Sequence, residues 1–213
     1  MTVLQELSTP YGDAHLHVAG PARNARGRAL LMHGAGTSSN VAVLMQLQDE
    51  LAALNVRVAR LDQPYRVAGR RAPPPSAQLD LVARSACAAL RAATPLVLVG
   101  RSSGARVGCR IAPDVGAAGV VALGFPLVPP GRPGVSRAAE LAGAGAPVVV
   151  IQGERDGFGT PEDIRAVNVK GVTVHAVAGG DHSLKTRKLD GRTEAAAVAE
   201  AVQVATAWIA ERI

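Results

Sequence analysis

One short stretch of the 213-residue chain places a serine where a hydroxyl can be made to react. Residues 95–111 read PLVLVGRSSGARVGCRI: an apolar run, then Gly100, Arg101, Ser102, Ser103 and Gly104, then a helical pattern. The Gly-x-Ser-x-Gly frame predicts a tight strand-to-helix turn with Ser102 at its tip, the flanking glycines letting neighbouring backbone pass where a Cβ would collide. Moving the frame to Ser103 puts Arg101 and Ala105 where glycines belong. Ser103 is therefore assigned another task, presenting its backbone N–H to an oxyanion. In a chain with 23 Gly, chance supplies the bare pattern about 0.1 times, so the strand before it and the helix after it carry part of the weight.

A serine hydroxyl is a weak nucleophile until a base takes its proton, and the base needs a carboxylate to orient it. Both are found downstream. Residues 148–160, VVVIQGERDGFGT, read as a buried strand and a turn that presents Asp156, with Glu154 as the alternative acid. Residues 179–184, GGDHSL, present His182 as the base; the adjacent Asp181 is set aside because neighbouring side chains in an extended loop point apart. Near the amino terminus, residues 30–37, LLMHGAGT, give a Gly-rich turn after an apolar run. There the Ala35 N–H is the preferred second oxyanion donor, Gly36 the alternative, and His33 a residue that shapes the loop. The chemistry these groups can perform together is acyl transfer at an ester-type carbonyl.

Such groups need a sheet whose strand ends bring distant loops together. Short apolar runs alternate with longer helical patterns, which predicts βαβ units and a mostly parallel, twisted sheet of about seven strands with helices on both faces. Strands are expected over 14–18, 28–32, 56–61, 96–99, 119–123, 148–151 and 172–177, the first an antiparallel edge strand because AHLHV alternates. Helices are expected over 40–54, 76–92, 105–111, 161–166 and 194–211, with Ser76 and Thr193 as N-caps. Two Pro-rich excursions, 66–75 and 125–133, fall at strand carboxyl ends, where open α/β sheets build their sites. No linker divides the chain, so 1–213 is expected to be one domain.

Composition excludes several function classes. The net charge of +6 would attract anions, but aromatics are only 2% and no stacking rings interleave with the arginines, so no nucleic-acid partner is expected. The apolar stretch 115–128 is too short and too broken by Gly and Pro to cross a bilayer, and MTVLQELSTP has no export-signal pattern. Two cysteines, Cys87 and Cys109, are too few for a disulfide framework and read as small buried thiols. A cytoplasmic location is expected. His15 and His17 lack a third ligand, so they read as an exposed strand, and no metal site is assigned. Phosphate-binding and dinucleotide motifs are absent, so no cofactor is expected. Arg66, Arg70, Arg71, Arg101 and Arg155 fall near the same strand ends and read first as solvated surface charge, with recognition of a carboxylate- or phosphate-bearing substrate as the alternative.

Taken together, LLMHGAGT, VGRSSGARVG, IQGERDGFGT and GGDHSL resemble the α/β-hydrolase superfamily, within it the small capless dienelactone-hydrolase-like branch. PYRVAGRRAPPP (64–75) and LGFPLVPPGRP (123–133) are similar to a narrower group, the testis-expressed hydrolase-like proteins and the hydrolase-like region of an NSL chromatin-complex subunit. The resemblance implies an α/β-hydrolase fold without a cap domain, Ser102 as nucleophile, Asp156 as acid, His182 as base, and Ala35 with Ser103 as oxyanion donors. Ala105 after the elbow and Gly157 after Asp156 depart from the family pattern without removing a reacting group. The implied activity is hydrolysis of small esters, thioesters or lactones; the rival is a non-catalytic scaffold that binds a protein partner.

Overall fold

The computed structural model describes residues 1–213 except Arg91, Pro130, Arg132 and Pro133, so parts of the expected 76–92 helix and of the 125–133 excursion lie outside the described residues. Its strands are β1 (Val3–Thr9), β2 (Gly12–Ala19), β3 (Gly27–Met32), β4 (Val56–Asp62), β5 (Leu96–Arg101), β6 (Gly119–Leu123), β7 (Val148–Gly153) and β8 (Val172–Val177). They form one sheet in the order β1-β2-β4-β3-β5-β6-β7-β8. Pairing is antiparallel at β1–β2 and β2–β4 and parallel elsewhere, so β2 alone runs against the rest.

The helices are α1 (Ala42–Ala53), α2 (Pro64–Val67), α3 (Ser76–Ala89), α4 (Ser103–Val115), α5 (Ala138–Ala142), α6 (Pro161–Ala166) and α7 (Glu194–Ala210). Alternation along each strand sends side chains to opposite faces, and each face is covered. Ala29, Leu31, Val97, Val99, Val121 and Val149 pack beneath α1 and α7. Leu30, Met32, Leu98, Val120 and Val150 pack beneath α2 to α6. Burial on both faces is why β5, β6 and β7 read as continuous apolar runs rather than as alternating ones.

Several expectations need correction. The strand expected at 14–18 is antiparallel but not an edge, because β1 covers it. β1 escapes sequence reading because VLQELST is exposed along nearly its whole length and shows no apolar face. Ser76 is the first residue of α3 and makes no cap bond, Pro75 holding the N-cap position, whereas Thr193 does cap α7 by accepting from the Ala196 N–H at 3.1 Å.

β4 also carries Arg60 and Asp62, both nearly buried. Asp62 accepts from the Ser39 N–H at 2.7 Å and the Ser39 hydroxyl at 3.0 Å, and Arg60 donates to the Ser39 carbonyl at 2.8 Å. His17 Nε2 lies 3.0 Å from Asp62, so His17 is tied into this network and is not a free surface residue. The network pins the segment between the β3 turn and α1 to the sheet.

Candidate active site

Ser102 sits at the junction of β5 and α4 with φ 52°, a conformation that costs a non-glycine residue energy and is held by its surroundings. Its N–H donates to the Leu123 carbonyl at the end of β6, 2.9 Å away. The flanking glycines are a packing requirement. A Cβ on Gly100 would stand 2.1 Å from the Gly104 carbonyl carbon, and one on Gly104 would stand 2.4 Å from the Met32 carbonyl oxygen. The turn is therefore tight enough to lift the Ser102 hydroxyl above the strand ends while α4 lies against β3.

The loops after β8 and β7 build outward from that hydroxyl. His182, in the loop after β8, places Nε2 at 2.8 Å from Ser102 Oγ. Its Nδ1 lies 2.8 Å from Oδ2 of Asp156, which follows β7 and whose side chain is fully shielded from solvent. With Nδ1–H donating to the carboxylate, Nε2 is left to accept the serine proton. Glu154 instead accepts from the Gly179 N–H at 3.0 Å, and Asp181 accepts from the N–H groups of Ser183 and Lys185 at 2.7 and 2.9 Å. Both alternative carboxylates are thus spent on shaping the histidine loop.

The opposite wall is the turn over 34–37. Its Gly34 carbonyl accepts from the Thr37 hydroxyl at 2.9 Å, from the Thr37 N–H at 3.3 Å and from His33 Nδ1 at 2.8 Å. Because His33 Nε2 faces the Gln63 N–H at 3.4 Å, Nδ1 carries the proton, and burial pushes the His33 pKa below its ordinary 6.5. A neutral, buried imidazole of this kind braces the loop. Among the described residues, the Ala35 and Ser103 N–H groups have no acceptor within the protein; Ser103 opens α4, so no carbonyl of that helix can take its proton. Gly36 has φ 71°, a left-handed conformation that turns the chain back toward Thr37.

Sequence reading missed Gln152. This side chain is completely buried on β7, donates to Asp156 Oδ2 at 2.8 Å and to the Gly159 carbonyl at 2.7 Å, and accepts from the Phe125 N–H at 2.8 Å. The signal was a lone amide in the apolar run VVVIQG. The Phe158 N–H donates to Asp156 Oδ1 at 2.8 Å, and its ring lies against His182 with centroids 4.3 Å apart.

Of the five arginines near these strand ends, three are engaged within the protein. Arg155 donates to the carbonyls of Gly179 and Lys185, Arg66 to the Arg70 carbonyl, and Arg101 to Ser183 Oγ. Arg70 and Arg71 are exposed. Among the described residues, no group of three or more His, Cys, Asp or Glu could hold a metal ion, and no helix is long and apolar enough to cross a membrane. The void beside Ser103 and Gly104 holds only about 10 Å³, room for roughly one water. Among the described residues, no inserted helical unit covers the strand ends.

A family described as "Alpha/beta hydrolase domain" matches residues 25–210. No curated protein matches the chain. Among solved structures, a lidless α/β serine hydrolase from Xanthomonas campestris superposes with a TM-score of 0.69 at 20% identity, covering 95% of this chain and 94% of its own. Dienelactone hydrolase from Anabaena variabilis gives 0.72 at 16% identity, covering 100% and 98%. The thioesterase domain from the curacin biosynthetic pathway gives 0.72 at 14% identity, covering 97% and 99%. At these identities the likeness is one of fold.

Proposed function

The chain belongs to the alpha/beta hydrolase domain family, and on that premise we propose that it is a serine hydrolase of small esters, thioesters or lactones. The observation that carries this reading is the unbroken chain from Ser102 Oγ through His182 to the buried Asp156, with 2.8 Å at each contact.

Ser102 Oγ attacks the acyl carbon while His182 Nε2 takes its proton, and Asp156 stabilises the imidazolium that results. The Ala35 and Ser103 N–H groups receive the oxyanion. The leaving alcohol or thiol departs with the proton held on His182. Water then adds to the acyl carbon, giving a proton to His182, and that proton returns to Ser102 Oγ as the acyl bond breaks. Residues 1–213 act as one domain in this reading. The open, lidless approach favours substrates whose reacting carbonyl is small or projects from a larger body.

The Pro-rich segments 64–75 and 123–133 support a narrower kinship with the testis-expressed and NSL-subunit hydrolase-like group. The free thiols of Cys87 and Cys109 favour a reducing compartment, the cytoplasm. The test is hydrolysis of a panel of short-chain aryl esters, acyl thioesters and lactones by the wild type and by Ser102→Ala. Turnover of at least one class that disappears in Ser102→Ala supports the reading. A folded wild type that is no faster than Ser102→Ala on every class contradicts it.

A further inference from the structure

The contact between Ser102 and His182 has a neighbour. Arg101 immediately precedes the serine, Ser183 immediately follows the histidine, and Arg101 Nη2 donates to Ser183 Oγ at 2.7 Å. Two consecutive residues at the end of β5 thus meet two consecutive residues of the loop after β8. Among the described residues, this second bond is the one hydrogen bond between those segments that involves no reacting atom. The guanidinium also lies against the oxyanion turn, with Nη1 3.3 Å from where a Cβ on Gly34 would stand.

The two contacts behave differently during the reaction. The Ser102–His182 bond exists only while Oγ carries a proton or can accept one as a free hydroxyl. Once Oγ is bonded to the acyl carbon and the alcohol has left with its proton, that contact no longer holds the histidine loop to the elbow. His182 must nevertheless stay near enough to take a proton from water as the water oxygen bonds to the acyl carbon. It must then return that proton to Oγ as the Oγ–acyl bond breaks. Asp156 orients the ring throughout, but it belongs to the turn after β7 and does not tie the loop to β5.

We propose that Arg101 is a positioning residue for deacylation, its bond to Ser183 keeping the His182 loop at reacting distance from the acylated Ser102. The proposal rests on the serine-hydrolase reading above. It makes an asymmetric demand: loss of the bond is masked in acylation, where Ser102 and His182 still hold one another, and exposed in deacylation, where they do not.

The experiment follows p-nitrophenyl acetate turnover in the pre-steady state, with intact-mass detection of acetylated protein, in wild type, Ser183→Ala, Ser183→Thr, Arg101→Met and Arg101→Lys. Ser183→Ala and Arg101→Met are expected to slow deacylation about tenfold, the scale of one charge-assisted hydrogen bond, with acylation within about twofold of wild type. Acetyl-Ser102 then accumulates. Ser183→Thr keeps the hydroxyl and is expected to restore deacylation, and Arg101→Lys to restore it in part. If Arg101→Met does not fold, the Ser183 pair carries the test. Equal losses in the two steps, or no loss in Ser183→Ala, overturn the proposal while leaving the serine-hydrolase reading intact. A wild type that never acylates overturns both.

Discussion

Gln152 holds Asp156 from behind, and its carbonyl occupies the Phe125 N–H at the same time. Replacing it with Met leaves that buried N–H and one lobe of the carboxylate unsatisfied, so Gln152→Met is expected to cost about 2–3 kcal/mol. Urea denaturation measures that loss. If Asp156 serves as the acid, kcat is expected to fall about tenfold or more in a variant that still folds. Cys87 and Cys109 report the opposite kind of site. Burial pushes each thiol pKa up to about 12, so neither forms thiolate at neutral pH, and alkylation under native conditions is expected to leave both unmodified. His33 sets a pH dependence. Burial holds its pKa below 6.5, so below that pH the unfolded chain binds a proton that the folded chain refuses, and this penalty on the folded state is absent above pH 6.5 and grows as pH falls below it. Glu140 adds a second, more acidic loss. Burial pushes its pKa up, but Arg106 and Arg110 outweigh burial and hold it below its ordinary 4.5, so its contribution disappears as pH falls through that range. Thermal midpoints measured from pH 8 to 4 should decline in both windows, and His33→Gln should flatten the upper one only. At this scale the meeting of Ser102, His182 and Asp156 was legible because the chemistry they were read for restricts residue types and their places at strand ends. Gln152 was not, because it reacts with nothing and is recognised only by what it touches.

The elbow shows what a whole element demands of single positions. A Cβ on Gly100 would stand 2.1 Å from the Gly104 carbonyl carbon, far inside van der Waals contact, and that atom belongs to backbone that cannot swing aside. Gly100→Ala is therefore expected to destabilise by more than about 4 kcal/mol or to prevent folding. Gly36 has no atom within 4 Å of the added carbon, and its φ of 71° makes Gly36→Ala cost only about 1 kcal/mol of backbone strain. Chemical denaturation of the two variants measures the contrast, and similar losses would contradict this account of the turn. β3, β5, β6 and β7 could be read from sequence because burial on both faces removes polar residues. The same logic hid β1, whose exposed residues carry no burial signal, and made β2 look like an edge. The short helices α2 and α5 offered four and five residues, too few for a helical period to emerge.

Across the whole molecule, the candidate site lies at the carboxyl ends of β5, β7 and β8, in a sheet whose two faces are both covered. β1 lies at the far end of the strand order from β7 and β8, and most of its side chains face solvent. Removing residues 1–9 is expected to cost about 1–2 kcal/mol, roughly the burial of Leu7, without altering the reactivity of Ser102. A truncated protein that folds but loses that reactivity would show that the sheet edge and the site are coupled. With no inserted covering unit among the described residues, the half-buried Ser102 is the group whose reactivity decides the reading. The most direct measurement is therefore labelling of the purified protein with a fluorophosphonate, followed by peptide mapping, with Ser102→Ala and His182→Ala alongside. A single adduct on Ser102 is expected, absent from Ser102→Ala and strongly slowed in His182→Ala. A folded protein that takes no label, or labels equally well without His182, would contradict it.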